Sequence, residues 1–451
     1  MALALGACDL APPPETSDVL DKALPATTKI PAAWSTEGAA TSAVGDHWVA
    51  SFRDPAMSSL VNEAIANNRD LQAAAARVEA ALQAARIAGA PLMPWVGAEA
   101  GAKDGRNIER ESSHKHRGGA VAVSWELDFW GRLRSGQAAA VAGASAVAND
   151  ALYARQSIAA TVARSWIGYI EIAQLVAATR QIVGQYTQLV ALAKDREQAG
   201  VVSDFDVVQA EGRLNASKAA LVELQSSANE AAAALEVLLG RYPSLSLKPA
   251  SSFPRMPGAL SAGLPLSLLD RRPDVVASRD QVIAAFYNVE TAKLARLPGI
   301  SLSAAGGKLF IPDLPLLGTG NPKFLQVGVS LLQPIFEGGA LQAEVVRMTS
   351  TQAAATAEYG QTVLGAYSEV ESRLANERLL RQALANWQAA YANAKEAAGL
   401  GLDNYTAGTI DMVGLLNLYE FEIGRQIDVI QSQSALLSNR VSLYLALGEN
   451  Y

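Results

Sequence analysis

Few side chains in this 451-residue sequence are of types that do chemistry at neutral pH, and their spacing argues against catalysis. There are three histidines, His47, His114 and His116. The last two flank Lys115 in a charged stretch, "DGRNIERESSHKHRGG", and a structural metal site would need further ligands. The patterns HExxH, GxSxG and GxxxxGK are missing, so the chain sets up no metal-bound water, activated serine or phosphate cradle. "AGGK" before Leu309 lacks the rest of a phosphate loop. The expectation is a non-enzyme with no cofactor and no metal. What remains is a set of carboxylates, Glu99, Glu126 and Asp128, that recur in segments of alternating character and would keep one row of a sheet wet.

These acids must be positioned by strands. In "VAVSWELDFWGRLR", Val121, Val123, Trp125, Leu127 and Phe129 form one row, and Ala122, Ser124, Glu126 and Asp128 form the other. The period is two throughout, with one face apolar and one hydrated. The same alternation predicts strands over residues 95–104, 118–129, 299–310 and 323–334, each near the length of a membrane-spanning barrel strand. Four strands cannot close a barrel, for which about eight is the practical minimum. An open sheet edge in lipid leaves backbone groups unsatisfied, so other copies of the chain must pair those edges. No apolar run reaches the roughly 18 to 20 residues of a spanning helix.

Charge narrows the partners. The net charge of −7 comes from 44 acids and 37 bases without a basic block, which disfavours nucleic acid. Half of the residues are hydrophobic, much of that alanine.

The chain also repeats itself. Asp70 matches Asp274 and Pro94 matches Pro298, then Val121 matches Val327 and Ser124 matches Ser330, and finally Gly200 matches Gly408. An offset that drifts by only a few residues reads as a tandem duplication. The expected organisation is a Pro-, Ala- and Ser-rich extended tether over 9–46, a first repeat over 47–240, a linker over 241–266 and a second repeat over 267–451. Each repeat reads helix, strand, strand, long helix, helix. A helix from Arg132 to Ala199 would be about 100 Å long, too long for a globular core. Val162, Trp166, Tyr169, Ala173, Val176, Val183 and Val190 recur every three to four residues, as a coiled-coil seam does. Abundant alanine lets neighbouring helices approach closely, which suits a wall of helices around a tube.

The only cysteine excludes a disulfide within the chain. Cys8 directly follows Leu5, Gly6 and Ala7 in "MALALGAC", which resembles the lipobox of bacterial lipoproteins, with residues 1–8 standing for a clipped signal and the lipidation site.

Several stretches together carry a wider resemblance: "SWELDFWGRLR", "LLDRRPDVVASR", "LPGISLSAAGG", "PIFEGG" and the paired "AGVVSDFDV" and "YTAGTIDMV". They resemble the TolC-like outer membrane factors, in the lipoprotein branch that serves RND-type efflux pumps, over about Trp48 to Gly448. The resemblance implies a mainly α protein with a membrane β-barrel: a homotrimer with a 12-stranded barrel in the outer membrane of a Gram-negative bacterium, continued by a long periplasmic α-helical barrel. It implies a passive exit duct that meets a periplasmic adaptor and an inner-membrane RND-type pump. It assigns adaptor contacts to Gly200, Val201, Gly408 and Thr409 at the periplasmic tip. It assigns a gate to Tyr405 and Asp206, joined by a hydrogen bond between neighbouring helices. Beside it, Asn417 stands where the family has an acid, and Val413 offers an apolar constriction instead. Asp403, near a helix C-terminus whose dipole disfavours a carboxylate, and Asp411 are gate candidates from their own positions. The family's aspartate rings fall here on Gly414 and Asn417, and its arginine latch falls on Ile410. Glu99, Glu126 and Asp128 become lumen-facing, and Trp95, Phe129, Trp130 and Phe336 become an aromatic girdle. Rival readings are an exit duct for type I protein secretion and an elongated soluble coiled-coil scaffold.

Overall fold

The computed structural model describes residues 10–35, 45–107, 112–258, 260, 262–310 and 323–451; for residues 103–107, 112–116, 309 and 310 it describes the backbone alone. The helices are α1 (Thr16–Ala23), α2 (Trp48–Ser51), α3 (Pro55–Asn67) and α4 (Arg69–Gly89). Strands β1 (Trp95–Asn107) and β2 (Ser112–Leu127) follow, then α5 (Arg132–Gln198) and α6 (Asp204–Leu238). The second half supplies α7 (Leu268–Arg271), α8 (Pro273–Leu294), β3 (Gly299–Phe310), β4 (Lys323–Leu332), α9 (Ala340–Thr406) and α10 (Met412–Ala446). Helices α5 and α9 each have 67 residues, and α6 and α10 each have 35.

All four of these helices end on a glycine in the left-handed region, Gly200, Gly240, Gly408 and Gly448, with φ between 70° and 75°. At each end the glycine N–H donates to the carbonyl three residues back, and the next N–H donates to the carbonyl five back. Gly200 thus bonds Glu197 and Val201 bonds Arg196, while Gly408 bonds Tyr405 and Thr409 bonds Asn404. A left-handed glycine followed by a second returning bond satisfies the last carbonyls of a helix.

Two compact units divide the described residues. The first takes residues 10–28, 76–150 and 274–362 and contains the sheet. Its strand order is β1-β2-β3-β4, antiparallel throughout, so β1 and β4 are both edges. The hairpin arms of β1 and β2 run farther than the alternation suggested, to Asn107 and from Ser112. Polar residues on both rows hide a strand from a period-two reading. Thr16–Ala23, inside the segment expected to be an extended tether, is helical and buries Val19. Its last carbonyl, on Ala23, lies where a Cβ on Gly360 would be 2.3 Å away, so α1 rests directly on the α9 backbone.

The second unit takes residues 29–75, 151–273 and 363–451. Its largest core gathers Phe52, Met57, Trp166, Ile167, Ile170, Leu235, Leu239 and Val441. Asp54 holds two elements there: Oδ1 caps α3 through the N–H groups of Ala56 and Met57, and Oδ2 accepts from the Trp166 indole at 2.9 Å. The single helix expected at the start of the first repeat is instead two, α3 and α4, broken at Asn68, whose backbone is extended (φ −61°, ψ 130°). Its Oδ1 caps α4 through Asp70 and Leu71, and its Nδ2 donates to the Leu238 carbonyl. Asparagine is a strong cap because its side chain replaces backbone partners. In the second repeat Arg272 does the equivalent work, donating to the Ala446 carbonyl and to Glu369. Trp34, also in the expected tether, is buried against this unit. Its indole N–H is shared between the carbonyls of Ala262 and Gly263, and the adjacent Ser35 N–H bonds Glu371 at 2.7 Å.

Candidate functional site

The sheet presents two chemically distinct faces. Antiparallel partners share a face, so the register groups Leu127, Ile300 and Leu331, then Trp125, Leu302 and Val329, then Val96, Val123, Ala304 and Val327. The opposite face carries Glu99 opposite Ala120, Ser124 opposite Ser303, and Glu126 opposite Ser301 opposite Ser330. The Ser301 and Ser330 hydroxyls bond each other at 2.7 Å. On the apolar face Leu325, Val327, Val329 and Leu331 of edge strand β4 are all more than two-thirds exposed. A contiguous exposed patch of this kind needs lipid or protein against it.

The three acids expected on the hydrated row differ. Glu99 is exposed there. Glu126 pairs with Arg132 at 2.7 Å, so its charge is partly neutralised. Asp128 is not a strand residue: β2 ends at Leu127, and the Asp128 carboxylate caps α5, accepting from the N–H groups of Leu133 and Arg134 at 2.9 Å and from Arg134 Nε at 3.1 Å. The favourable field at a helix N-terminus and an arginine one turn inside explain that placement.

The expected aromatic girdle is corrected at one position. Trp95 pairs with Ser124 and therefore lies on the hydrated face, its ring folded over Gly97, where a Cβ would come within 2.2 Å of it. Phe129 is exposed and packs edge-on to Trp130, whose indole bonds the Pro298 carbonyl at 2.8 Å; Phe336 is exposed. Trp125, on the apolar face, donates its indole N–H to the Leu92 carbonyl.

At the other end of the long helices, the turns between α5 and α6 and between α9 and α10 expose Gly200, Val201, Gly408 and Thr409. The core beneath them includes Tyr186, Leu189, Ala193, Leu214, Tyr405, Met412 and Leu415. Asp411 caps α10 through the Gly414 N–H at 2.8 Å. Val413 is 38% exposed, and Asn417 and Asp403 are exposed.

The expected hydrogen bond between Tyr405 and Asp206 is not formed in this chain: the buried Tyr405 hydroxyl has no hydrogen-bond partner among the described residues. Burial first, then the Asp206 charge, raises the Tyr405 phenol, while Arg196 opposes the shift. Burial also raises the Asp206 carboxyl, with Asp411 adding to the effect and Arg196 opposing it. Arg196 is the residue that sequence reasoning missed. Its guanidinium lies 4.9 Å from the Tyr405 ring centroid and donates to the Thr406 carbonyl. A cation in the last turn of α5 was the available signal. Cys8 lies outside the described residues, as do the side chains of His114 and His116. Among the described residues no acid, histidine and cysteine cluster offers a metal site, and no helix is long and apolar enough to cross a membrane.

A two-faced antiparallel sheet whose strands lead straight into helices of 67 residues defines an outer-membrane channel that extends into the periplasm as helices. The chain belongs to the outer membrane efflux protein family, whose model matches residues 60–241 and 264–449. It is 29% identical over 465 residues to the pyoverdine export outer membrane protein OpmQ of Pseudomonas aeruginosa, covering 99% of this chain and 94% of that protein. It is 29% identical to the toluene efflux pump outer membrane protein TtgF of Pseudomonas putida, covering 89% and 85%. Among solved structures, the outer-membrane channel OprN superposes with a TM-score of 0.84 at 25% identity, covering 94% of this chain and 98% of that one. The protein is thus an outer-membrane component of an efflux system.

Proposed function

We propose that three copies of this chain assemble into one passive exit duct. The observation that carries the reading is the open sheet, with four strands, two unpaired edges and faces of opposite character. Three copies supply twelve strands and pair β1 of one copy with β4 of the next, removing every edge from lipid. The apolar face then meets acyl chains and the Glu99 face lines water. Cys8 carries the lipid anchor, and the segment holding Trp34 and Ser35 fastens it to the protein body.

A periplasmic adaptor docks at the exposed turns of Gly200, Val201, Gly408 and Thr409, and an inner-membrane RND-type pump supplies the energy. Asp206, Tyr405, Asp403, Asp411, Val413 and Asn417 surround the narrow end, with Arg196 stacked on Tyr405 as the contact that holds it. The duct makes and breaks no covalent bond. The test is the detergent-extracted mass together with planar-bilayer conductance: a trimer that conducts is expected, and a water-soluble monomer without conductance would refute the reading.

A further inference from the structure

On the apolar face of the sheet the residue types change abruptly at the end farthest from the helices. The rungs from Leu331 to Leu325 carry aliphatic or small residues and Trp125. The next rung pairs Lys308 directly with Lys323, and Gly119 beside Lys308 leaves that rung open. Arg117, paired with Ala102, stands on the same face two residues farther along β2. All three cations are exposed, and the described side chains of this face include no carboxylate.

Like charges directly opposite each other across two strands are destabilising. Among the described side chains of this face none relieves the pair, which leaves a counter-charge to be drawn from what covers the face. From Leu331 to Lys323 the strand climbs about 26 Å, or about 20 Å along the membrane normal at a tilt of about 40°. An outward apolar band is about 25 Å tall, so the backbone of the pair stands about 5 Å below its upper edge, within reach of the headgroups for a long stem that lies along acyl chains while the ammonium reaches up.

We propose that Lys308 and Lys323, with Arg117 beside them, form a binding site for the phosphate headgroup of an anionic lipid packed against the outside of the barrel. This rests on the reading that the apolar face meets lipid. Two ammonium groups and a guanidinium above a greasy wall match a lipid with a phosphomonoester head and acyl tails.

The test uses the full-length channel reconstituted in phosphatidylcholine vesicles with a minor fraction of spin-labelled phosphatidic acid or spin-labelled phosphatidylcholine. The wild type is expected to enrich phosphatidic acid at its surface about fivefold over phosphatidylcholine. The Lys308→Gln/Lys323→Gln variant should lose most of that enrichment while conducting normally, and Lys308→Arg/Lys323→Arg should keep it. Equal selectivity in wild type and the Gln pair overturns the proposal. So does its abolition by inorganic phosphate at matched ionic strength, which would make the pair a free-anion site. The underlying reading fails separately if Val327→Cys is modified by a water-soluble maleimide in vesicles while Gln326→Cys is protected.

Discussion

The Arg196 guanidinium stacks on the ring of Tyr405, 4.9 Å from its centroid, and donates to the carbonyl of Thr406, the next residue. One side chain of α5 thus grips the last turn of α9, and the Tyr405 hydroxyl takes no part in the grip. The aromatic face and the arginine are the holding elements, so Tyr405→Phe should leave single-channel conductance unchanged and stability within about 0.5 kcal/mol, since it removes a buried hydroxyl that has no partner. Arg196→Ala should raise basal conductance. Equal effects of the two variants would show that the stacking is incidental.

Acid should tighten the same region. Burial and Asp411 raise the Asp206 carboxyl, so as pH falls Asp206 takes up its proton earlier than an ordinary aspartate, and its repulsion with Asp411 disappears. Basal conductance should therefore drop on mild acidification, and Asp206→Asn should hold it low across the range. A wild-type conductance that is flat with pH would contradict this.

Glu449 predicts an alkaline weakness. It is 3% exposed, and its Oε1 lacks a hydrogen-bond partner among the described residues. Burial, and secondarily Asp46, pushes its carboxyl up to about 8 against the opposing Arg271 and Arg440. Between the ordinary value of 4.5 and about 8, the folded protein holds a proton that the unfolded chain has released. Stability should therefore fall as pH rises through that window. The melting temperature of Glu449→Gln should show a flatter pH dependence, read by thermal scans from pH 5 to about 8.5.

The four helix-ending glycines should separate into two classes. A Cβ on Gly240 would lie 2.7 Å from the Asn67 carbonyl oxygen, and one on Gly448 would lie 2.9 Å from that of Arg271; around Gly200 and Gly408 there is open space. Alanine at Gly200 or Gly408 should cost about 1 kcal/mol for the left-handed backbone alone. At Gly240 or Gly448 the clash adds to this, for a loss of about 2 to 4 kcal/mol. Denaturant or thermal unfolding of the four single variants reads the difference.

Asp128→Ala should lower stability by about 1 to 2 kcal/mol through the lost α5 cap and leave ion selectivity unchanged. Glu99→Gln should weaken any cation preference without touching stability. Reversal potentials in a salt gradient, set beside melting curves, separate the two.

The strands were legible because each has one apolar row, and a period of two survives any change of neighbour. Their outer ends were not, because from Lys103 to Asn107 and from Ser112 to Arg117 neither row carries an apolar side chain. Trp95 shows residue type overriding parity: it shares the odd numbering of Glu99, so its side of the sheet was written in the sequence, but an aromatic at a strand end suggested the lipid face. Asp128 continued the alternation of β2 on paper, and only the α5 backbone beside it shows why it serves as a cap. Asn68 broke a helix because its side chain also finds the carbonyl of Leu238, a partner 170 residues away that no local pattern announces. The Tyr405 stacking was hidden for the same reason: its partner sits on a helix that only tertiary structure brings near.

The matched lengths of α5 with α9 and of α6 with α10 couple the two halves of the gene. Removing seven residues from α5 alone would draw the Gly200 turn back by about 10 Å while the Gly408 turn stayed in place, leaving Arg196 out of register with Tyr405. Changes in duct length must therefore arise as concerted pairs of insertions or deletions, one in each half.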